Sequence, residues 1–286
     1  MDAKNSILWL DGEWHEGASP VLSLTSNGFW LAATVFDGAR AFDGVAPDLD
    51  KHCQRAIRSA KTMGLEPEQT AEDIYKLAWE GIKKYPKEAV LYIKPVFWGD
   101  EGFISPDPAS TRFGLVIYDA PFPETTSFSA TLSSFRRPSI EFAPTDAKAA
   151  CLYPNAGRAL REASQKGFNN AVMCDPMGNI AEFATANLFM VKDGQIKTPA
   201  PNGSFLNGIT RQRVIALLSD VGMPVQECQV TPAMLEDADE IFSTGNYGKV
   251  QSVNNYNGRE LQPGPVMKKA RELYFDYAAK YGGEAA

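Results

Sequence analysis

The sequence contains few of the residues needed for metal or histidine-based chemistry. Only two histidines occur among 286 residues, His15 and His52, and the four cysteines form no CxxC pair. We therefore expect no metal, because a zinc site with ordinary Cys/His ligand spacing cannot be built. A Ser-His-Asp hydrolase would have to use one of the two histidines, and neither lies in a nucleophile motif. The thiols are expected to be free and reduced.

Excess positive charge and long apolar runs are also missing. Lys plus Arg number 28 against 35 Asp plus Glu, a formal net charge of −7, and no basic stripe is visible. We therefore expect no nucleic-acid partner. No apolar run approaches the roughly 20 residues that span a bilayer, and the start of the sequence lacks the apolar core of a signal peptide. These features predict a cytoplasmic protein with no membrane partner.

The composition is that of a globular protein with more than one domain. Apolar residues make up 44% and charged residues 22%, which excludes disordered and collagen-like chains. At roughly 150 residues per domain, the length predicts two domains. The stretch 119–126 carries two prolines and no periodicity. We predict a small N-terminal α+β domain over 1–118, an interdomain linker over 119–127 and a large C-terminal α+β domain over 128–286.

Turn motifs and apolar periodicity predict strands and helices that do not alternate strictly, so the fold class is α+β. Asp11-Gly12 predicts a first hairpin, and Asp43-Gly44 a second one with strands over 34–42. Other strands are predicted over 89–98, 113–118, 128–135, 170–174, 188–191 and 225–230. Helices are predicted over 48–63, 155–165, 210–221 and 264–281, with another beginning at Thr70, where Asp73 completes a capping-box-like pattern.

Two features indicate anion binding before any family is considered. The segment 206–211 is a glycine turn entering a helix, whose first N–H groups favour a phosphate or carboxylate. An ordinary Thr N-cap explains the same residues. Arg55, on the helix beginning near Asp48, has the fork geometry that suits a phosphate. A surface salt bridge is the commoner fate of an isolated arginine.

Two further features indicate carbonyl chemistry. Lys148 lies among small apolar residues, where burial would favour a neutral amine able to form a Schiff base. Glu182 follows the turn at 176–179 and would need a cationic partner if it were buried and ionised. A solvent-facing side chain is the plainer interpretation of each. The segment 245–249 does not match a Walker A loop, and no GxGxxG fingerprint follows a strand.

Seven segments, in order, resemble the class IV (fold type IV) pyridoxal-phosphate aminotransferases, nearest the branched-chain amino acid aminotransferases. They are VFDGAR at 35–40, HCQR at 52–55, YIKP at 92–95, KAACLY at 148–153, the run 180–194, GITR at 208–211 and ADEIF at 238–242. The resemblance runs from about Ile7 to Tyr277. It implies a two-domain, D-amino acid aminotransferase-like fold, with a smaller N-terminal α/β domain, a larger C-terminal β-barrel-like domain, and assembly as a homodimer.

The resemblance also implies pyridoxal 5'-phosphate as the cofactor. Lys148 would form a Schiff base with the cofactor's aldehyde and move the proton, and Glu182 would pair with the pyridine nitrogen. Arg55 and the backbone N–H groups of Ile209 and Thr210 would hold the phosphate. The remaining implied cofactor residues are Tyr153, which would hydrogen-bond the phenolic oxygen, Leu206, which would pack on the ring, Gly208 and Asn246. The implied substrate residues are Phe36, Arg40, Tyr92, Lys94 and Tyr247.

The sequence departs from the branched-chain pattern on the substrate side. The segment 29–33, Phe-Trp-Leu-Ala-Ala, stands where a Tyr-Gly pair is usual. Lys94 replaces an arginine, and the loop 245–249 replaces Gly-Thr-Ala-Ala-Glu. The leading hypothesis is an aminotransferase that moves the amino group of an L-amino acid with an apolar or branched side chain to a 2-keto acid by a ping-pong mechanism. The alternatives are a D-amino acid or (R)-amine aminotransferase, or an aminodeoxychorismate lyase, on the same fold. The VFDGAR segment favours the first.

Overall fold

The computed structural model describes residues 5–17 and 19–284. The chain forms two compact units, the first made of Met1–Pro121, Ala147–Cys151 and Tyr277–Ala286, and the second of Phe122–Asp146 and Leu152–Asp276. Two short segments that follow the predicted linker therefore belong to the first unit. Val35 and Ala149 form an isolated antiparallel bridge, and the Ala46 N–H donates to the Gly282 carbonyl at 2.6 Å. The predicted domain limits stay a prediction.

The first unit is built on a six-stranded antiparallel sheet. Its elements are β1 (Ser6–Leu10), β2 (Glu13–Glu16), α1 (Asn27–Trp30), β3 (Thr34–Phe36), β4 (Ala39–Ala41), α2 (Leu49–Thr62), α3 (Ala71–Ile82), β5 (Leu91–Gly99) and β6 (Thr111–Asp119). The strand order is β2-β1-β6-β5-β3, and β4 also pairs with β5. Helices α2 and α3 pack on the sheet, where the buried face of β5 presents Leu91, Ile93 and Phe97. One face of this sheet is therefore core.

The first predicted hairpin is confirmed, and the second is wrong. Strands β1 and β2 pair around Asp11-Gly12, where φ is +52° and +94°, as a tight hairpin turn requires. At Asp43-Gly44 the chain turns, but only the single bridge between Phe42 and Val45 forms. Strands β3 and β4 instead both pair with β5. Asp43-Gly44 predicts only a local turn, whereas the pairing of β3 and β4 is decided by the long apolar strand β5.

Helix signals in the first unit are confirmed. Helix α2 covers the predicted periodic stretch, and α3 begins after Thr70. The Thr70 hydroxyl accepts from the Asp73 N–H at 3.1 Å, while the Asp73 carboxylate accepts from the Thr70 N–H at 2.8 Å. This is the reciprocal capping box that satisfies N–H groups left open at a helix start.

The second unit is built on a nine-stranded mixed sheet. Its elements are β7 (Ser127–Arg136), α4 (Tyr153–Gln165), β8 (Asn170–Cys174), β9 (Ile180–Phe183), β10 (Asn187–Lys192), β11 (Gln195–Pro199), α5 (Ile209–Asp220), β12 (Val225–Cys228), α6 (Pro232–Glu236), β13 (Glu240–Gly245), β14 (Lys249–Tyr256), β15 (Arg259–Glu260) and most of α7 (Pro265–Tyr281). The order is β12-β11-β10-β13-β14-β7-β8-β9, with β15 on β14. Strand β9 also lies close to β10, so the sheet curls towards a barrel. The predicted α+β class is confirmed.

The interior of the second unit has two main apolar clusters. One lies inside the curled sheet around Phe183, Leu188 and Tyr256. The other joins β10 and β13 to α5 and α7, with the rings of Phe189 and Phe242 stacked at 4.9 Å between centroids. Among the described residues, none of the helices combines the length and apolar character needed to cross a bilayer.

Candidate active site

The sequence-predicted site residues are divided between the two units. The first unit holds Arg55, Lys148, Phe36, Arg40, Tyr92 and Lys94, and the second holds Tyr153, Glu182, Leu206, Gly208, Ile209, Thr210, Asn246 and Tyr247. Within the second unit, hydrogen bonds through Asn187 join Glu182, Leu206 and Gly208.

Lys148 is fixed through its backbone at the edge of β3. Its N–H donates to the Ser59 hydroxyl on α2 at 3.0 Å, and its carbonyl accepts from the Phe36 N–H at 3.1 Å. The side chain is half-buried, and its Nζ lies 4.9 Å from the centre of the Phe36 ring. A lysine whose backbone is tied to both a strand and a helix presents its amine at a defined position.

The predicted substrate residues of the first unit share one face of its sheet. Tyr92 and Lys94 are two apart on β5, so they point the same way, and the pairs Arg40↔Tyr92 and Phe36↔Val96 bring the neighbouring strands to the same side. Lys94 Nζ lies 4.9 Å from the Phe36 ring centre, the same distance as the Lys148 amine. The Arg40 guanidinium lies 6.0 Å from the Tyr92 ring. This face combines aromatic rings with cations.

The two lysines on this face influence each other. Burial lowers the pKa of the Lys94 amine, and the charge of Lys148 lowers it further. An arginine, which is usual at this position in the resembling family, would stay charged at all working pH values. Lys94 therefore holds its proton less tightly than an exposed lysine would.

Gly38 is expected to be essential for the position of Tyr92. A Cβ at residue 38 would lie 2.1 Å from the Tyr92 hydroxyl oxygen and 2.7 Å from Cζ. The variant Gly38→Ala must therefore displace the ring, and a shift of about 1 Å near the reacting groups can lower rates on the order of 100-fold. We expect kcat/KM for the amino transfer that the resemblance implies to fall at least about 10-fold, measured in steady state.

Gly157→Ala is the matched control for this substitution. Gly157 lies on α4, and a Cβ there would meet no atom within 4 Å. The control should raise the free energy of unfolding by about 0.5–1 kcal/mol and leave kcat/KM unchanged. If Gly38→Ala has the wild-type kcat/KM, Tyr92 is not a substrate residue.

Arg55 is buried and ion-paired rather than on the surface. It is 7% exposed, and its Nε donates to Asp37 Oδ2 at 2.6 Å. Asp37 also contacts His52. Arg55 therefore forms a buried ion pair and not a surface salt bridge.

Glu182 has the cationic partner that its burial requires. It lies on β9 opposite Met173 of β8 and is 8% exposed. Arg137 Nε lies 3.1 Å from Glu182 Oε1 and donates to the Ser204 carbonyl at 3.2 Å. The ion pair favours an ionised carboxylate in a buried position.

Asn187 connects Glu182 to the start of helix α5. Its Nδ2 donates to Glu182 Oε2 at 3.2 Å and to the Leu206 carbonyl at 3.0 Å, and its Oδ1 accepts from the Gly208 N–H at 3.1 Å. A Cβ at residue 208 would lie 2.1 Å from that oxygen, so glycine is required. The helix begins at Ile209, with Gly208 and not Thr210 as N-cap, and no side chain caps it.

The loop 245–249 differs in exposure along its length. Tyr247 is 65% exposed, whereas Lys249 is 1% exposed with φ at +61°. Lys249 Nζ donates to Asn246 Oδ1 at 2.7 Å. The lysine that replaces an acid in this loop therefore turns inward and holds the asparagine, which fixes the conformation between β13 and β14.

Four residues of these networks were missed from the sequence as functional candidates: Asp37, His52, Arg137 and Asn187. Asp37 and His52 lie in segments that carry the family resemblance, which was the one signal available. Asn187 also lies in such a segment, five residues from Glu182. Arg137 pairs with Glu182 from 45 positions away in the sequence, and no local pattern marks it.

The comparisons with known proteins agree with the predicted resemblance. Residues 34–256 match the family model described as amino-transferase class IV. A branched-chain-amino-acid aminotransferase of Pseudomonas aeruginosa is 30% identical over 295 residues, covering 96% of this chain and 94% of the relative. An aminotransferase structure from Brucella abortus, bound to the cofactor PLP, has a TM-score of 0.94 at 48% identity, covering 96% of this chain and 99% of that chain.

A branched-chain aminotransferase of the archaeon Thermoproteus uzoniensis, solved with norvaline, has a TM-score of 0.88 at 31% identity, covering 96% of this chain and 95% of that chain. The family model covers well over half of the sequence, and it includes Lys148, Glu182 and the start of α5. The chain therefore belongs to the class IV aminotransferases.

Proposed function

We propose that this protein is a pyridoxal-phosphate-dependent aminotransferase that moves the amino group of an apolar, branched L-amino acid to a 2-keto acid. The observation that carries the proposal is the Lys148 amine, held by its backbone over Phe36 on an aromatic and cationic sheet face. The branched-chain aminotransferases among its relatives and structural neighbours support the substrate class.

The residues present fit the cofactor. A primary amine is available at Lys148, an ion-paired carboxylate at Glu182, and a dianion site at the start of α5, where Gly208 brings no side chain. These match the aldehyde, the pyridine nitrogen and the phosphate of the cofactor in turn. When bound, the cofactor supplies an electron sink for the carbanion formed at the substrate Cα.

The roles follow from this chemistry. Lys148 would attach the cofactor through its amine, and the same amine would act as general base at the substrate Cα. Glu182 would hold the pyridine nitrogen, and Arg55 would hold the phosphate. The other residues that would contact the cofactor are Ile209 and Thr210 through their N–H groups, Tyr153 through its phenol, Leu206 through its side chain, Gly208 and Asn246. The two half-reactions give ping-pong kinetics.

Substrate specificity is assigned to the aromatic and cationic face of the sheet in the first unit and to the loop 245–249 of the second unit. The rings of Phe36 and Tyr92 favour an apolar side chain, while Arg40 and Lys94 provide cations for carboxylates. Tyr247 is the exposed tip of the loop 245–249 and contributes to substrate contact. Retention of the VFDGAR segment supports the L enantiomer.

The assembly is a homodimer in the cytoplasm. An exposed apolar surface on the first unit supports a partner subunit, since Trp30 is 56% and Phe103 is 72% exposed and their rings lie 6.0 Å apart. Asn27 Nδ2 donates to the carbonyls of Gly102 and Phe103, which fixes this surface. Exposed apolar surface of this kind is typical of interfaces. A monomer in sedimentation at micromolar concentration would contradict the assembly.

The test is the visible absorption of the purified protein with pyridoxal phosphate during addition of single amines. L-Leucine should bleach the band of the bound cofactor, while D-alanine and (R)-1-phenylethylamine leave it unchanged. Bleaching by either of the latter alone would overturn the L-amino acid assignment. Release of pyruvate from aminodeoxychorismate without a keto acceptor would identify a lyase instead.

A further inference from the structure

The Asp37 carboxylate is surrounded by donors in the interior of the first unit. It is 0% exposed. Oδ1 accepts from the Gly38 N–H at 2.7 Å, from Arg55 Nη2 at 2.9 Å and contacts His52 Nδ1 at 2.7 Å. Oδ2 accepts from Arg55 Nε at 2.6 Å. A buried carboxylate with this set of partners is held in a single orientation.

The ion pair also fixes the orientation of Arg55. Asp37 binds the Nε and Nη2 edge of the guanidinium in the two-point geometry that arginine and carboxylate favour. The plane of the guanidinium is then set by Asp37, and its Nη1 corner is directed away from that carboxylate. A long side chain that would otherwise sample many rotamers is therefore ordered before any ligand arrives.

His52 holds the other side of the same carboxylate. It lies three residues before Arg55 on α2, so the two side chains occupy one face of the helix. Burial alone would raise the pKa of Asp37, but the Arg55 guanidinium and His52 outweigh burial and lower it well below its ordinary range. Asp37 is thus an anion at any pH at which the enzyme would work.

The backbone of Asp37 adds a further restraint. Its N–H donates to the Pro95 carbonyl on β5 at 3.0 Å, and the preceding residue, Phe36, donates to the Lys148 carbonyl. The carboxylate that orients Arg55 therefore belongs to the strand segment that also holds the reactive lysine. A shift of this segment would move both groups together.

We propose that Asp37 and His52 are positioning residues that orient the Arg55 guanidinium for a phosphate ester, so that selectivity for phosphorylated over unphosphorylated ligand depends on them. The inference rests on the proposed function, in which Arg55 binds the cofactor phosphate. Asp37 and His52 do not touch the reacting atoms. Partners that orient a binding residue typically change affinity by about 10–100-fold.

The experiment compares pyridoxal phosphate with pyridoxal, which lacks the phosphate, as ligands of the apoprotein. In Asp37→Asn the amide offers only one acceptor oxygen, so the two-point pairing with Arg55 is lost. The dissociation constant of pyridoxal phosphate should rise about 10–100-fold, while that of pyridoxal stays within about twofold of wild type. Equal weakening of both ligands would mean that Asp37 is only structural and would overturn the inference.

Two His52 variants provide an independent measurement. His52→Asn keeps a polar atom near the position of Nδ1 and should preserve the ratio of the two dissociation constants. His52→Leu removes the contact while Asp37 stays in place, and it should lower the ratio of pyridoxal to pyridoxal phosphate dissociation constants about 10-fold, the lower limit of the range for orienting partners. If Asp37→Asn does not fold, the two His52 variants test the inference alone. An unchanged ratio of the two dissociation constants in His52→Leu would then overturn it.

The matched control is Asp48→Asn at the start of the same helix. Asp48 is also buried and has a left-handed φ of +56°, which asparagine tolerates. It accepts from the Tyr277 hydroxyl at 3.3 Å and pairs with Lys51, so its substitution leaves the atoms of the Asp37–Arg55 pair in place. The control should keep the ratio of the two dissociation constants, whatever its effect on stability.

Arg55→Gln separates failure of this inference from failure of the proposed function. If this variant retains the wild-type preference for pyridoxal phosphate over pyridoxal, Arg55 does not bind the phosphate and the proposed role of Arg55 is wrong. If Arg55→Gln loses the preference while Asp37→Asn and His52→Leu keep it, only the positioning roles are overturned. Loss of the preference in all three supports the inference.

Discussion

Replacing Lys148 with alanine is expected to abolish covalent attachment of the cofactor and to lower kcat by at least about 1,000-fold. Under the proposed function the variant loses both the amine that attaches the cofactor and the general base at the substrate Cα, and general base catalysis alone contributes about 100- to 10,000-fold. Borohydride reduction followed by mass spectrometry of peptides measures attachment, and transfer from L-leucine to a keto acid measures kcat.

Lys94→Ala is the matched control, because both amines lie 4.9 Å from the same Phe36 ring. This variant should retain a borohydride-reducible cofactor on Lys148. Its activity should change mainly through KM, since Lys94 is assigned to substrate carboxylates. A reducible adduct in Lys148→Ala that is missing in Lys94→Ala would exchange the two roles.

Glu182→Gln is expected to lower kcat by about 100- to 1,000-fold, the scale seen when one preorganised electrostatic partner of a reacting group is removed. The neutral amide cannot stabilise a protonated pyridine nitrogen, so less electron density leaves the substrate Cα. The substitution also leaves Arg137 without its charge partner in a buried position. Breaking a buried pair costs about 3–5 kcal/mol, which thermal unfolding of the apoprotein will register. Rates must therefore be measured at saturating cofactor, well below the unfolding temperature.

Two variants separate the catalytic effect from lost stability. Glu227→Gln removes the same charge from another ion pair of the second unit, that with Arg211 at 2.6 Å, and should keep kcat near wild type. Arg137→Gln breaks the Glu182 pair from the other side, so stability falls while the carboxylate remains. If Arg137→Gln and Glu182→Gln lose kcat equally, Glu182 acts only through the ion pair and not on the cofactor.

Local signals predicted much of the fold. The Thr70–Asp73 capping box, the Asp11-Gly12 hairpin and the helix entered through Gly208 all formed where the sequence predicted them, because each is decided by residues within a few positions. Strand pairing is decided at longer range. The pairing of β3 and β4 with β5 joins residues 50 to 64 positions apart in the sequence, and such long-range pairing is not marked by a local turn such as Asp43-Gly44.

The same distinction applies to the candidate site. The family resemblance predicted roles for Lys148, Glu182 and Arg55. The family is confirmed, and the roles of the three residues stay predictions. Their supporting partners could not be identified in this way. Asp37 and Arg55 are 18 residues apart, while Arg137 is brought to Glu182 from strand β7's far end. Ion pairs of this kind depend on tertiary packing. No local sequence pattern fixes which residue the partner is or how many positions away it lies.

The interleaving of the two units determines where this gene could be recombined with that of a relative. The segment Ala147–Cys151 returns to the first unit, so Lys148 pairs with Ser59 and Phe36 although its chain neighbours belong to the second unit. A crossover within 119–127 would join the proposed substrate face of one parent to the Lys148 segment of the other. A chimera that inherits each unit whole needs breakpoints near residues 121, 146, 151 and 276, whereas a single crossover after residue 151 is enough to keep the face and Lys148 from the same parent.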